Sequence, residues 1–126
     1  SLARLAPRPA DGRVARVLDI GCSIGQGSTA LKLALPQAEV TGIDAAAQLL
    51  RYAHQRAVEL GVDVAFRQRL AEDNGFPDGH FDMVQSTILF HEVPFAVTRR
   101  IVREVFRVLR PGGVFNVFDF PAGEPI

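Results

Sequence analysis

Strand-like and helix-like segments alternate along this chain, and the alternation is what most restricts its fold. Residues 14–20 are apolar at nearly every position, as in a strand that is buried on both faces, and residues 25–35 then carry apolar side chains at helical spacing. Strands that alternate with helices through short loops predict an α/β fold, a Rossmann-like doubly wound sheet with five parallel strands. The remaining predicted strands are 38–43, 62–68, 81–87 and 114–120, and the remaining predicted helices are 46–60 and 97–109.

Length and charge narrow the class of protein. The 126 residues suffice for one domain with a core, and 14 basic residues against 14 acidic ones argue against a nucleic-acid partner. The single cysteine, Cys22, excludes an intrachain disulfide, and no stretch approaches the ~20 apolar residues of a membrane span. We therefore expect a cytoplasmic protein without a membrane span. No spacing of histidines and cysteines predicts a metal site.

The loops that follow the strands are where function is expected, because ligands of such sheets bind beyond the carboxyl ends of the strands. The loop 19–27, with the sequence DIGCSIGQG, is the most informative. Glycines between a strand and a helix let the backbone turn sharply and let a ligand approach main-chain atoms.

Two familiar motifs match parts of this loop poorly. Residues 25–30 fit the dinucleotide pattern G-x-G-x-x-A, but they begin four residues after the predicted strand end, so the tight turn falls in the wrong place. Residues 21–25 read G-x-S-x-G, which makes Ser23 a candidate hydrolase nucleophile. That mechanism needs a histidine after the last strand, whereas the histidines are His54, His80 and His91.

Two carboxylates at strand ends favour a third interpretation. Asp19 ends the first strand, where it would repel a pyrophosphate but suit a cationic amino group. Asp44 ends the second strand, where a carboxylate can accept hydrogen bonds from both hydroxyls of a ribose, although it could also simply cap the next helix. A ligand with a ribose and an ammonium group but no phosphate fits the pair, and S-adenosylmethionine is such a ligand.

Four motifs carry a resemblance to a known family. The segments VLDIGCSIG at 17–25, VTGID at 40–44, GFPDGHFDMV at 75–84 and RVLRPGG at 107–113 are similar, in order and spacing, to those of class I S-adenosylmethionine-dependent methyltransferases. The resemblance covers about residues 14–120. It implies the strand order 3-2-1-4-5, with two further strands of the family's seven-stranded sheet absent from this chain.

The resemblance also implies S-adenosyl-L-methionine as cofactor and a set of residues that bind it. Asp19 would orient the amino group, Asp44 would bind the ribose, and Leu70 to Glu72 would meet the adenine edge. The acceptor side would be approached by His91 and Glu92, either as general base or as residues that tie down the loop. The full binding set is Asp19, Gly21, Cys22, Ser23, Gly25, Asp44, Ala45, Leu70, Ala71, Glu72, Ser86 and Thr87.

This sequence departs from the family pattern at two positions. Ser23 stands where the family's middle glycine is usual, and Leu70 stands where an Asp or Asn commonly bonds the adenine amino group. The resemblance is closest to members that methylate small molecules, such as quinone precursors. A non-catalytic methyltransferase-like binding domain is the alternative, and a hydrolase acting through Ser23 is a further one.

Some expectations concern the ends and the surface of the chain. We expect residues 1–13 to be a tail or the remnant of a preceding helix and residues 14–126 to be the cofactor-binding core, truncated at its carboxyl end. The last predicted strand would then be partly uncovered and would invite self-association. Its aromatic residues are Phe115, Phe118 and Phe120, and the arginines expected to form a solvated basic face nearby are Arg99, Arg100, Arg103, Arg107 and Arg110.

Overall fold

The fold is one parallel sheet of five strands in the order β3-β2-β1-β4-β5. The computed structural model describes residues 6–88 and 90–118, apart from the side chain of His91. All four neighbouring strand pairs are parallel. The predicted α/β class and the predicted strand order are both confirmed. The strands are β1 (Arg16–Ile20), β2 (Glu39–Asp44), β3 (Ala65–Gln68), β4 (Phe81–Ser86) and β5 (Leu109–Val117).

Three α-helices connect the strands. They are α1 (Gln26–Ala34), α2 (Ala47–Leu60) and α3 (Phe95–Val108), and a 3-10 turn (Phe90–Glu92) precedes α3. The helix α2 ends where the sequence predicts, at Gly61, whose φ of 68° favours glycine. Within the described residues, no helix is long and apolar enough to cross a membrane.

The sheet has an apolar cluster on each face, as its doubly wound topology requires. Because side chains alternate along a strand, Leu18 of β1 packs with Ile101 and Val105 of α3, whereas Val17 packs on the other face with Leu31 of α1. All of these side chains are buried. The carboxyl end of β1 is therefore held rigidly between two layers of helices.

The start of β5 differs from the prediction. The strand begins at Leu109, directly after α3, rather than at residue 114. Leu109 pairs with Phe81, and after an irregularity the register resumes with Met83 opposite Val114. The Pro-Gly-Gly segment lies in this irregularity: between the two pairs the register advances by two residues on β4 and by five on β5, so the segment forms a bulge.

The predicted solvated basic face is wrong for two of its arginines. Arg110 donates to Asp82 at 2.5 Å, and Asp82 also accepts the backbone N–H groups of Ala15 and Arg16. Arg107 bonds to Asp78 and Glu104. The motifs at 75–84 and 107–113 are therefore joined by ion pairs that fix the amino-terminal ends of β1 and β4, away from the ligand edge of the sheet.

Candidate cofactor-binding site

A cavity of about 260 Å³ lies at the carboxyl ends of the strands, where the topology predicts a ligand. Three loops supply one side of it, those that follow β1, β2 and β3. Half of the predicted binding set lines it, namely Gly21, Asp44, Ala45, Leu70, Ala71 and Glu72. The opposite wall is apolar and consists of Ile88, Val93, Val97 and Ile101.

Asp44 lies at the rim of the cavity with its carboxylate held by backbone donors. Its Oδ2 accepts the N–H of Ser23 at 2.9 Å, and its Oδ1 accepts the N–H of Ala46 at 2.9 Å. Ala46 itself is the N-cap of α2 and makes no side-chain cap bond, so Asp44 does not cap that helix. Each carboxylate oxygen has two acceptor positions, so Asp44 keeps one on each oxygen for a ligand.

The loop after β4 lies against Gly21. The Thr87 hydroxyl donates to the Gly21 carbonyl at 3.2 Å, and a Cβ added at Gly21 would come within 2.5 Å of the Ile88 side chain. Gly21 also has a φ of 67°. Its place therefore requires glycine for two reasons, backbone conformation and close approach.

The turn at residues 21–25 contains the one departure from glycine that carries a conformational cost. Ser23 has a φ of 52°, in the left-handed region that a non-glycine residue rarely adopts. Gly25, with φ 84°, packs against Phe66, where a Cβ would come within 2.9 Å of the ring. Burial raises the pKa of the Cys22 thiol to about 12, so this residue is a packed neutral group rather than a nucleophile.

Asp19 does not line the cavity, and its carboxyl is almost completely buried. Its Oδ2 accepts the Ser28 hydroxyl of α1 at 2.6 Å. Its Oδ1 has no hydrogen-bond partner within residues 6–88 and 90–118. Burial raises the pKa of Asp19 to about 6, even though hydrogen bonds from Ser28 and Gln85 act in the opposite direction.

Other predicted residues lie near the cavity without lining it. Ser86 is fully buried, and its Oγ accepts the Ile88 N–H at 3.2 Å, so Ser86 shapes the loop from within. Glu92 is exposed on the 3-10 turn, and the adjacent cavity-lining residue is Val93. The side chain of His91 lies outside the described part of the structure.

Sequence reasoning missed several residues of the site. The sequence predicts a helix over 97–109 but does not indicate that Val97 and Ile101 line a cavity. Arg69 was not singled out, although it lines the cavity, donates to the Asn74 carbonyl at 2.9 Å and lies over the Phe76 ring. The helical spacing of Val97 and Ile101, on the helix that follows the fourth predicted strand, could have indicated the apolar wall. No sequence signal indicated Arg69.

Comparison with known proteins identifies the family. A family model described as "Methyltransferase domain" matches residues 17–113. The chain belongs to this methyltransferase family. A solved structure described as a SAM-dependent methyltransferase, from Methanosarcina mazei, is 33% identical to this chain with a TM-score of 0.71, and the match covers 81% of this chain and 50% of that one.

Two further methyltransferase-family comparisons agree. The demethylmenaquinone methyltransferase of Thermus thermophilus is 40% identical over 106 residues, which are 84% of this chain and 47% of the relative. The crystal structure of the YcgJ protein from Bacillus subtilis has a TM-score of 0.78 at 35% identity and covers 94% of this chain and 48% of that one. The chain thus spans about half the length of the relatives it matches.

The residues present fit the methyltransferase cofactor. Asp44 offers carboxylate acceptors for two hydroxyls, Asp19 has an unpartnered buried oxygen that suits a cationic amino group, and the apolar wall suits a flat base. His80 packs against Phe81 at the amino-terminal end of β4, whereas Ser23 follows the carboxyl end of β1, so His80 is not placed to activate Ser23 as the hydrolase alternative would require. Within the described residues, no group of three His, Cys, Asp or Glu side chains is placed to hold a metal.

Proposed function

We propose that this protein transfers a methyl group from S-adenosylmethionine to a small-molecule acceptor, with residues 14–126 as its cofactor-binding core. The observation that carries the proposal is the cavity in which Gly21, Asp44 and the segment 70–72 meet. These residues come from three separate loops, and the family predicts contact with a different part of the cofactor for each of them. Family membership over residues 17–113 supports the same activity.

The contribution of this chain is to bind and align. When bound, the cofactor supplies a sulfonium methyl group that is already activated for in-line displacement. Asp44 would accept the two ribose hydroxyls, and the charge of Asp19 would balance the amino group. The apolar wall, with Ile88 and Ile101, would exclude water from the face of the base. Alignment of the reacting groups in a dry site is the main source of rate for such a displacement.

The acceptor is proposed to be a small molecule because the relative from Thermus thermophilus is named for demethylmenaquinone. The equal numbers of basic and acidic side chains agree with a neutral acceptor rather than a nucleic acid. His91 and Glu92 follow β4 and the 3-10 turn carries them, which supports a role next to the acceptor. In that role one of them would remove a proton from an acidic acceptor hydroxyl or carbon.

Calorimetric titration with S-adenosylmethionine tests the cofactor assignment. We expect the wild type to bind and Asp44→Ala to bind about 10- to 100-fold more weakly, because charge-assisted hydrogen bonds to the ribose are lost. Asp63→Ala is the matched control, since Asp63 is exposed and lies just before β3, at the amino-terminal end of that strand and away from the cavity. Thermal unfolding of Asp44→Ala without ligand separates ligand contact from folding, because the N–H groups of Ser23 and Ala46 also lose their acceptors in this variant.

Two outcomes would contradict this assignment. If millimolar S-adenosylmethionine gives neither binding heat nor a thermal shift, the cofactor assignment is wrong. If Asp44→Ala binds S-adenosylmethionine as tightly as the wild type does, the proposed ribose contact is wrong. Release of S-adenosylhomocysteine in the presence of a quinol acceptor would support methyl transfer. Tight binding without that release from any small-molecule acceptor offered would favour the non-catalytic binding domain instead.

A further inference from the structure

The buried carboxyl of Asp19 is held by groups that the methyltransferase motifs do not name. Ser28, on the first turn of α1, is fully buried and donates its hydroxyl to Oδ2 at 2.6 Å. Gln85, on β4, is also buried, and its side-chain amide lies beside the same carboxyl and favours its ionised form. Three elements, β1, α1 and β4, thus converge on one carboxyl group.

Gly27 allows this convergence. A Cβ at that position would come within 3.2 Å of the Gln85 amide nitrogen and 3.4 Å of the Asp19 Oδ2. The absence of a side chain lets the first turn of α1 approach both groups. The approach brings the Ser28 hydroxyl to Asp19 and leaves Oδ1 without a donor in the described residues.

Within the described residues, no positive charge is among the groups that act on the pKa of this carboxyl. The groups that act on its pKa are Ser28, Gln85 and the carboxylate of Asp44, and Asp44 raises it. Cys22 is the other titratable side chain coupled to it, and its pKa of about 12 keeps that thiol neutral. In the described part of the chain, the groups that favour a negative Asp19 are therefore neutral, Ser28 and Gln85, so the hydrogen bond from Ser28 strongly affects whether the carboxyl carries a charge.

We propose that Ser28 is a positioning residue for the cofactor. Together with Gln85 it keeps Asp19 ionised, with Oδ1 free to contact the cofactor. Cofactor binding therefore requires a deprotonated Asp19 and weakens in acid. The proposal rests on the proposed cofactor function and adds to it a proton linkage and a residue outside the loop motifs. Since burial sets the pKa of Asp19 at about 6, the linkage lies close to neutral pH. Protonation would replace a charge-assisted contact to the amino group with an unfavourable one.

The test compares the wild type with Ser28→Ala by calorimetry with S-adenosylmethionine from pH 5.5 to 7.5. This range stays below the ordinary α-amino pKa of about 7.7–8.0, so most of the ligand keeps its charged amino group, and any partial loss of that charge near pH 7.5 affects wild type and variant equally. Loss of a hydrogen bond to a charged group would raise the pKa of Asp19 by about one unit. We expect Ser28→Ala to bind about tenfold more weakly at pH 5.5 and less than twofold more weakly at pH 7.5.

A neighbouring hydroxyl supplies the control. Thr29→Val removes the side chain that donates to the Gln26 carbonyl on the same helix turn, and this variant should retain the wild-type pH profile. Gln85→Met, which removes the second donor, should move the profile in the same direction as Ser28→Ala. A loss of affinity that is equal at every pH would mean that Ser28 is merely structural, and it would overturn the proposal.

A measurement without cofactor separates this proposal from the proposed function. Carboxyl carbon chemical shifts of the ligand-free protein should give a titration midpoint for Asp19 near pH 6, moved upward in Ser28→Ala. An unmoved midpoint would refute the role of Ser28, whatever the protein binds. A moved midpoint together with no binding of S-adenosylmethionine would instead refute the proposed cofactor function.

Discussion

Replacing Asp19 by asparagine should stabilise the fold while it weakens cofactor binding. In the native state burial raises the pKa of this carboxyl from 3.8 to about 6. The native state therefore holds the proton more tightly than the unfolded state, and the free energy of unfolding falls as the pH rises from about 4 to 6. The native and unfolded pKa values of Asp19 differ by about two units. Ionisation of Asp19 therefore lowers the free energy of unfolding by about 3 kcal/mol at pH 8 and by about 1 kcal/mol at pH 4.5. Asparagine is neutral throughout and keeps an acceptor for Ser28, so it avoids this cost.

Urea unfolding followed by far-ultraviolet circular dichroism at several pH values measures the effect. The gain of Asp19→Asn over wild type should grow from about 1 to about 3 kcal/mol between pH 4.5 and 8. Asp63→Asn, at an exposed position, should stay within about 0.5 kcal/mol of wild type at every pH. A gain that does not vary with pH, or a loss of stability at pH 8, would show that Asp19 is not a strained buried acid.

Three other substitutions test separate parts of the structure. Ser23→Gly should stabilise by about 0.5–1 kcal/mol in urea unfolding, because glycine relieves a left-handed backbone at the expense of unfolded-state entropy; Ser23→Ala, which keeps the Cβ, should show no gain. Asp82→Asn should destabilise by about 1.5–3 kcal/mol at pH 7, since Arg110 would keep only its exposed partner Asp11 and would lose its charge-assisted bond to Asp82. Burial opposes ionisation of Asp82, but hydrogen bonds from Arg16, Arg110 and Ala15 lower its pKa. The stability that ionised Asp82 contributes should therefore persist above pH 4 and fade in stronger acid. Urea unfolding midpoints measured from pH 3 to 7 can follow this change. His91→Ala should lower the turnover number without changing the affinity for S-adenosylmethionine; unchanged turnover would remove His91 as the base.

The parts of the site that lie on regular elements could be predicted. The positions of Asp19 and Asp44 could be predicted because each lies where a strand-like apolar segment ends. Local sequence alone is enough to recognise a carboxylate at the end of a strand. Leu70 to Glu72 could be placed only through the family resemblance, because the loop after β3 has no periodicity of its own. The stable core follows from apolar spacing in the same way, with Leu18 and Val17 on opposite faces.

What could not be predicted depends on tertiary contacts. The bond from Ser28 to Asp19 joins a helix to a strand, and only the packing of α1 on β1 reveals it. The closeness of Ile88 to Gly21 likewise arises from the path of a loop whose conformation no local pattern encodes. The early start of β5 depends on a bulge at Pro-Gly-Gly, which lets Leu109 pair with Phe81 before the register resumes at Val114. The bond from Arg110 to Asp82 joins residues that lie 28 positions apart, so no local pattern indicates it.

The central position of β1 in the sheet affects how the chain folds while it is being synthesised. One edge of β1 can pair with β2 soon after both have left the ribosome, but its other edge waits for β4, and the bond from the Arg16 N–H to Asp82 spans 66 residues. At 5–20 residues per second this interval lasts roughly 3–13 seconds. During it a short, very apolar strand carries unpaired backbone groups, the condition under which nascent chains associate with one another. We expect expression of this protein to depend on temperature and on chaperones more than its final stability alone would indicate.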